Sequence, residues 1–210
     1  MRSFWTEPFL WIHLVGLADL LLTLELVWLG LAAGNPILPV WLELLLVAII
    51  GIAPVLWMQL THPFYIFSLL IVALQPEQLT QEQQKLLSLF KTKTNKVLTI
   101  VGTVLMLWIL WQIYRVAPLA VAVAALIPGG HIVGLLVAGL AFLASNLFLQ
   151  VPLSVIQVLL TRESEWQTTP AYPVEKIQQD FTIPGIKVNQ ILLWAKEDTT
   201  ISTPPLSADE

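Results

Sequence analysis

Five ionisable side chains stand inside or at the ends of long apolar runs: Asp19, Glu25, Glu43, Arg115 and His131. Two carboxylates beside a histidine can hold a proton or a cation in a dry interior, and a carboxylate beside an arginine makes a buried ion pair. Either chemistry depends on which elements bring the groups together. Asp19 and Glu25 lie in "GLADLLLTLELVWLGL", a segment that reads as a membrane span apart from its two acids. They stand about 120° apart around a helix, so they do not line one face as a proton wire would.

Composition identifies the solvent these elements meet. The chain has 210 residues, of which 57% are hydrophobic and 11% charged. A soluble domain carries roughly a quarter charged residues, so lipid must cover this apolar mass. Cysteine is absent, which excludes disulfides, a disulfide-linked partner and thiolate metal sites. The net charge of −4 hides an uneven distribution. Acids collect in the C-terminal tail, and Lys85, Lys91, Lys93 and Lys96 crowd one loop. Without a broad basic field, nucleic acid is not an expected partner. "LAAG" at 31–34 resembles a signal-cleavage site. The apolar stretch before it starts at Leu10 and is broken by acids, so it is expected to be a retained first span.

A span needs about 20 mostly apolar residues. Four segments meet this, at about 10–33, 40–60, 97–115 and 132–151, and predict an all-α, multi-pass transmembrane bundle. "GNPILP" turns the first span into the second, Pro54 bends the second, and "LSVIQVLL" after Pro152 extends or bends the last. Residues 64–75 and 116–127 are apolar but too short to cross alone. They read as short interfacial or re-entrant helices, with a fifth or sixth span as the competing reading. Thr80 and Gln83 form a capping-box pattern that opens an amphipathic helix over about 79–92. Its Leu86, Leu87 and Phe90 are expected on the membrane surface, with the four lysines facing anionic headgroups. The alternative is a solvated loop helix whose lysines favour its negative end. Four spans put Arg2, the lysine loop and Arg162 on one side, expected to be cytoplasmic, with both termini there. Residues 161–210 read as a polar, partly disordered tail. Within it, 181–194 is apolar enough to dock on the protein's own cytoplasmic face, and "EDTTISTPPLSADE" is acidic and of low complexity.

This topology gives each acid a depth. Asp19 falls near the bilayer midplane, where a charge costs about 3 kcal/mol, and Thr23 is a hydrogen-bond partner within reach. Glu25 and Glu43 fall in the outer half, with Arg115 closing the third span and His131 opening the fourth on the same side. The cluster Glu25, Glu43, Arg115 and His131 is therefore expected to meet, with Arg115 pairing with one of the acids. A register-fixing ion pair is the favoured reading, and a proton or cation site is the rival. "GLAAG" and the series Gly134, Ala138, Ala141 and Ser145 supply small faces for close helix packing. Trp5, Trp11, Trp41, Trp57, Trp108 and Trp111 lie near span ends, as interfacial anchors do.

No hydrolase, zincin or nucleotide-binding motif occurs, and three scattered histidines do not argue for a cofactor or metal. Catalysis is not expected.

"RSFWTEPFLWIHLVGLADL", "PVWLELLLVAIIGIAPVLWMQ", "HPFYIFSLL", "SNLFLQVPLSVIQVLLT" and "QQDFTIPGIKVNQIL" together resemble the cyanobacterial low-complexity tail membrane proteins. The resemblance covers about residues 2–192, though the acidic tail here is short. It implies a multi-pass protein of the thylakoid or plasma membrane and carries over no catalytic residue. The expectation is a non-enzymatic accessory, scaffold or assembly factor with a membrane-protein partner. The alternative is a small proton or cation transporter using Asp19, Glu25 and Glu43.

Overall fold

The structure is a computed structural model and describes residues 3–191. In hydrocarbon every peptide N–H must be met within its own segment, so uncharged apolar runs settle as long helices. The first crossing consists of α1 (Pro8–Val15) and α2 (Leu17–Ala32), broken at Gly16. The second is α3 (Val40–Thr61), with Pro54 inside it. A segment with a short strand β1 (Val72–Leu74) and helix α4 (Gln81–Phe90) follows. The third crossing is α5 (Lys93–Val116), continued by a 3-10 turn over Ala117–Ala120 and by α6 (Val121–Ala124). The fourth is α7 (Gly130–Leu159), which runs through Pro152. Then come α8 (Glu163–Thr168), α9 (Val174–Asp180) and strand β2 (Ile186–Val188). Among the described residues, four helical stretches are long and apolar enough to cross a membrane: Pro8–Ala32, Val40–Thr61, Lys93–Ala124 and Gly130–Leu159.

Helix α7 is the hub, packed against α2, α3 and α5. Its approach to α2 brings backbone against backbone. A Cβ on Gly30 would lie 2.6 Å from the Gly134 carbonyl oxygen, and one on Gly134 would lie 2.5 Å from that of Gly30. Val27, Ala33, Val47, Met106, Ala138 and Phe142 fill the core around this seam. Leu21, Leu22, Ile49, Val104, Leu107 and Leu140 point outward. That is the pattern of a bundle whose solvent is lipid.

A second core forms where the chain leaves the bundle, at the end where the described residues begin and finish. Phe4, Phe9, Tyr65, Phe67, Leu87, Phe90, Val155, Trp166, Ile177 and Phe181 pack into one cluster. This juxtamembrane domain corrects three expectations. Residues 64–75 are not a re-entrant helix: Phe64 to Phe67 are buried in the cluster, and β1 pairs in parallel with β2, Val72 opposite Ile186. The α4 face does not rest on lipid, because Leu86, Leu87 and Phe90 are 1%, 0% and 3% exposed against the protein's own core. The stretch 161–191 is no loose tail, since Trp166, Ile177 and Phe181 anchor it. Aromatic side chains bury enough area to hold a polar, proline-punctuated segment in place. The expected apolar docking segment lies along β1, with Thr182 bridged to Phe64. The acidic low-complexity stretch, "EDTTISTPPLSADE", lies outside the described residues.

Candidate functional site

At the bundle end remote from the juxtamembrane domain, three elements meet on two ionisable side chains. Glu43, in the first turn of α3, and His131, in the first turn of α7, are 3% and 6% exposed. His131 Nε2 lies 2.8 Å from Glu43 Oε1, and His131 Nδ1 lies 2.7 Å from the Ala33 carbonyl oxygen. A carbonyl only accepts, so Nδ1 carries a proton, and the bridge to Glu43 holds one more between Nε2 and Oε1. Glu43 Oε1 also accepts from the peptide N–H groups of Ile37 at 3.1 Å and Leu38 at 3.0 Å. One carboxylate thus ties the α2–α3 turn to itself, and one imidazole ties that turn to α7. Gly34 makes the approach possible. Its φ is +69°, and a Cβ there would lie 2.7 Å from the His131 peptide nitrogen.

The structure brings together only part of the expected cluster. Arg115 pairs with neither acid; it is exposed, and its guanidinium donates to Gln112 Oε1 at 3.3 Å. The Trp28 indole donates to the Val116 carbonyl at 2.9 Å, which fixes the end of α5 beside α2. The arginine side chain is left to the headgroup zone, where its charge is better solvated. Glu25 is exposed on α2 and does not join Glu43. Asp19 is exposed too, and Thr23 does not bond its carboxylate. The Thr23 hydroxyl turns to the main-chain carbonyls of Asp19 and Leu20, each at 3.0 Å.

A polar seam between α5 and α7 was not anticipated. Gln150 Nε2 donates to the Thr99 carbonyl at 3.1 Å and lies 3.3 Å from the Thr103 hydroxyl, with all three residues buried. Asn95 Nδ2 donates to the Phe90 carbonyl at 2.8 Å, and Ser145 Oγ donates to Thr23 Oγ1 at 2.9 Å. Polar side chains of this kind hold helices together where hydrophobic attraction between them is weak. The cue was present as Asn, Gln, Thr and Ser at helical spacing, but without a charge it resembles ordinary span composition.

The lysines divide between two settings. Lys91 forms an ion pair with Asp180 at 3.0 Å and sits 5.5 Å from the Phe181 ring centroid. Lys85 lies 5.8 Å from the Trp166 ring centroid. Both are drawn onto this protein's own aromatics. Lys93 and Lys96 stay exposed where α5 enters the bundle.

Burial and local bonds shift several groups in the juxtamembrane domain. The Tyr172 hydroxyl donates a short hydrogen bond to Asp180. That bond, followed by Lys91, holds the Asp180 carboxyl below its ordinary range. Tyr172 is pushed up, mainly by burial. Tyr65 is also raised by burial, with Glu77 adding repulsion. Glu7 is raised by burial despite the hydrogen bond it accepts from Gln83 at 3.2 Å.

Among the described residues no three histidine or carboxylate side chains gather as a metal site. The fold and its buried polar ties define a multi-pass α-helical membrane protein. The chain belongs to the low-complexity tail membrane protein-like family, whose model matches residues 6–193. Neither curated proteins nor solved structures provide a match.

Proposed function

We propose that this chain is a non-enzymatic accessory subunit, a scaffold or assembly factor for a larger membrane complex in a photosynthetic bacterium. One observation carries the reading: Glu25 is exposed on α2, seven residues or about 10 Å inside the span end at Ala32. A carboxyl facing hydrocarbon is costly, and intramembrane acids ordinarily face a partner group. A neighbouring membrane protein that donates a cation or hydrogen bond to Glu25 removes that cost. The lysine loop and Arg162 share the juxtamembrane side, and Arg115 lies on the other. This asymmetry supports a cytoplasmic juxtamembrane domain in a thylakoid or plasma membrane.

Purification in a mild detergent is expected to recover a stoichiometric membrane protein with the wild-type chain and with Glu25→Gln. The partner should be lost with Glu25→Lys. A chain free of partners in several detergents overturns the reading. Proteoliposome ion flux abolished by Glu43→Gln would replace it with transport.

A further inference from the structure

The breaks in two helices open a cavity of ≈ 390 Å³ beside the juxtamembrane domain. Gly16 interrupts the first crossing, and Pro152 interrupts the regular bonding of α7. Ile12, Val15, Phe64, Leu147, Phe148 and Val151 supply apolar wall. The volume is at the small end of ligand cavities, which span roughly 300–1,000 Å³. It suits a single chain or ring.

The polar groups of the wall are unequally satisfied. His13 Nδ1 donates to the Phe9 carbonyl at 2.7 Å, with the Ser68 main chain as a further partner. The Ser68 hydroxyl donates to the Pro184 carbonyl at 2.8 Å. Asp19 differs: its carboxylate accepts no hydrogen bond among the described residues, although it lines the cavity at membrane depth. Pro152, also in the wall, carries no N–H and so adds no donor there. Asp19 is thus an unmet acceptor on the wall, and an occupant that donates a hydrogen bond meets it. Asp19 lies about 12 Å along the helix from Trp11, an exposed interfacial tryptophan. That depth is below the headgroups and favours an uncharged donor over an ammonium.

We propose that this cavity binds a lipophilic hydroxyl compound, an alcohol or phenol of the bilayer, whose hydroxyl donates to Asp19 while its apolar body fills the space between Phe64, Leu147 and Phe148. The site is independent of Glu25 and of any partner bound there.

The test uses the full chain in phosphatidylcholine nanodiscs with photoreactive octadecanol, a photoreactive 4-alkylphenol and the methyl ether of each. Crosslinked peptides are mapped by mass spectrometry. A hydroxyl probe should label 64–70 and 147–152 above its ether by roughly five-fold, the range of one net hydrogen bond. The stronger of the two hydroxyl probes names the source. Asp19→Leu should erase the difference between hydroxyl and ether. Leu147→Trp, which fills the cavity and leaves Asp19 in place, should reduce labelling by both kinds of probe at these segments. Each variant is first shown to unfold at the wild-type temperature. Equal labelling by ethers, or labelling spread evenly over all lipid-facing helices, overturns the proposal.

Discussion

Glu43 Oε1 lies 2.8 Å from His131 Nε2, joining the start of α3 to the start of α7 across 88 residues of chain. The same oxygen receives two peptide N–H groups from the α2–α3 turn. The pair therefore acts as a clasp on three elements, and its members are not interchangeable. Glu43 Oε1 meets three groups, the His131 ring and the two turn N–H groups, whereas the His131 ring meets two.

Removing one partner of a buried pair leaves the other desolvated, at a cost of roughly 3–5 kcal/mol. Glu43→Ala is expected to show a loss of that size in detergent unfolding. His131→Leu should cost less, because Glu43 keeps the Ile37 and Leu38 donors. The double variant should lose less than the sum of the two. Additive losses would mean that the two side chains do not interact.

The Gly30–Gly134 contact predicts a different response. A Cβ at either position meets backbone, which cannot rotate aside. Gly134→Ala should destabilise the bundle by about 1–3 kcal/mol, as overpacking does, and Gly134→Leu should abolish the folded state. Gly130→Ala is the control for added volume, since a Cβ there meets nothing within 4 Å, although its φ of +64° adds local strain. Protease resistance in detergent distinguishes a separated α2–α7 interface from a merely softened one.

The four crossings were legible because hydrocarbon imposes one simple rule, a sufficiently long run of apolar residues. The small-residue seam was legible for a similar reason, as Gly30 and Gly134 occupy the faces that the spacing selects. The partner of Glu43 was not. Depth along an axis can be read from sequence, but rotation about the axis cannot, and rotation decided for His131 over Arg115. The juxtamembrane domain was missed for another reason. Its core draws Phe4, Phe67, Leu87, Val155 and Phe181 from distant segments. Each segment alone is too short to reveal its burial, so α4 reads as a lipid-surface helix although it packs on protein.

Leu87 separates those two environments directly. It is 0% exposed within the juxtamembrane cluster. Leu87→Ala should cost about 2–5 kcal/mol, as cavity-forming core changes do. A helix resting on lipid would lose far less. Tryptophan placed at Leu89 and quenched by brominated lipid gives a second readout, and strong quenching would return α4 to the membrane surface.

The last prediction concerns pH and the tie between α4 and α9. Asp180 accepts from Tyr172 and pairs with Lys91 at 3.0 Å, and these bonds hold its carboxyl below its ordinary range. A carboxyl whose folded pKa is depressed stabilises the fold above its unfolded pKa, roughly 3.9 for aspartate. That contribution is lost as pH falls through the lower folded value. Glu7 acts in the opposite sense. Its raised pKa means that its contribution is fully present below its unfolded value and declines as pH rises. The Asp180 tie should therefore weaken only in strong acid, with protease cleavage between Arg162 and Thr182 increasing below about pH 4. Asp180→Asn should raise cleavage at neutral pH to the acid level and flatten its dependence through this window. Glu7→Gln should leave the acid step in place. If Asp180→Asn behaves as wild type at every pH, the Tyr172–Asp180–Lys91 tie does not hold α9 to α4.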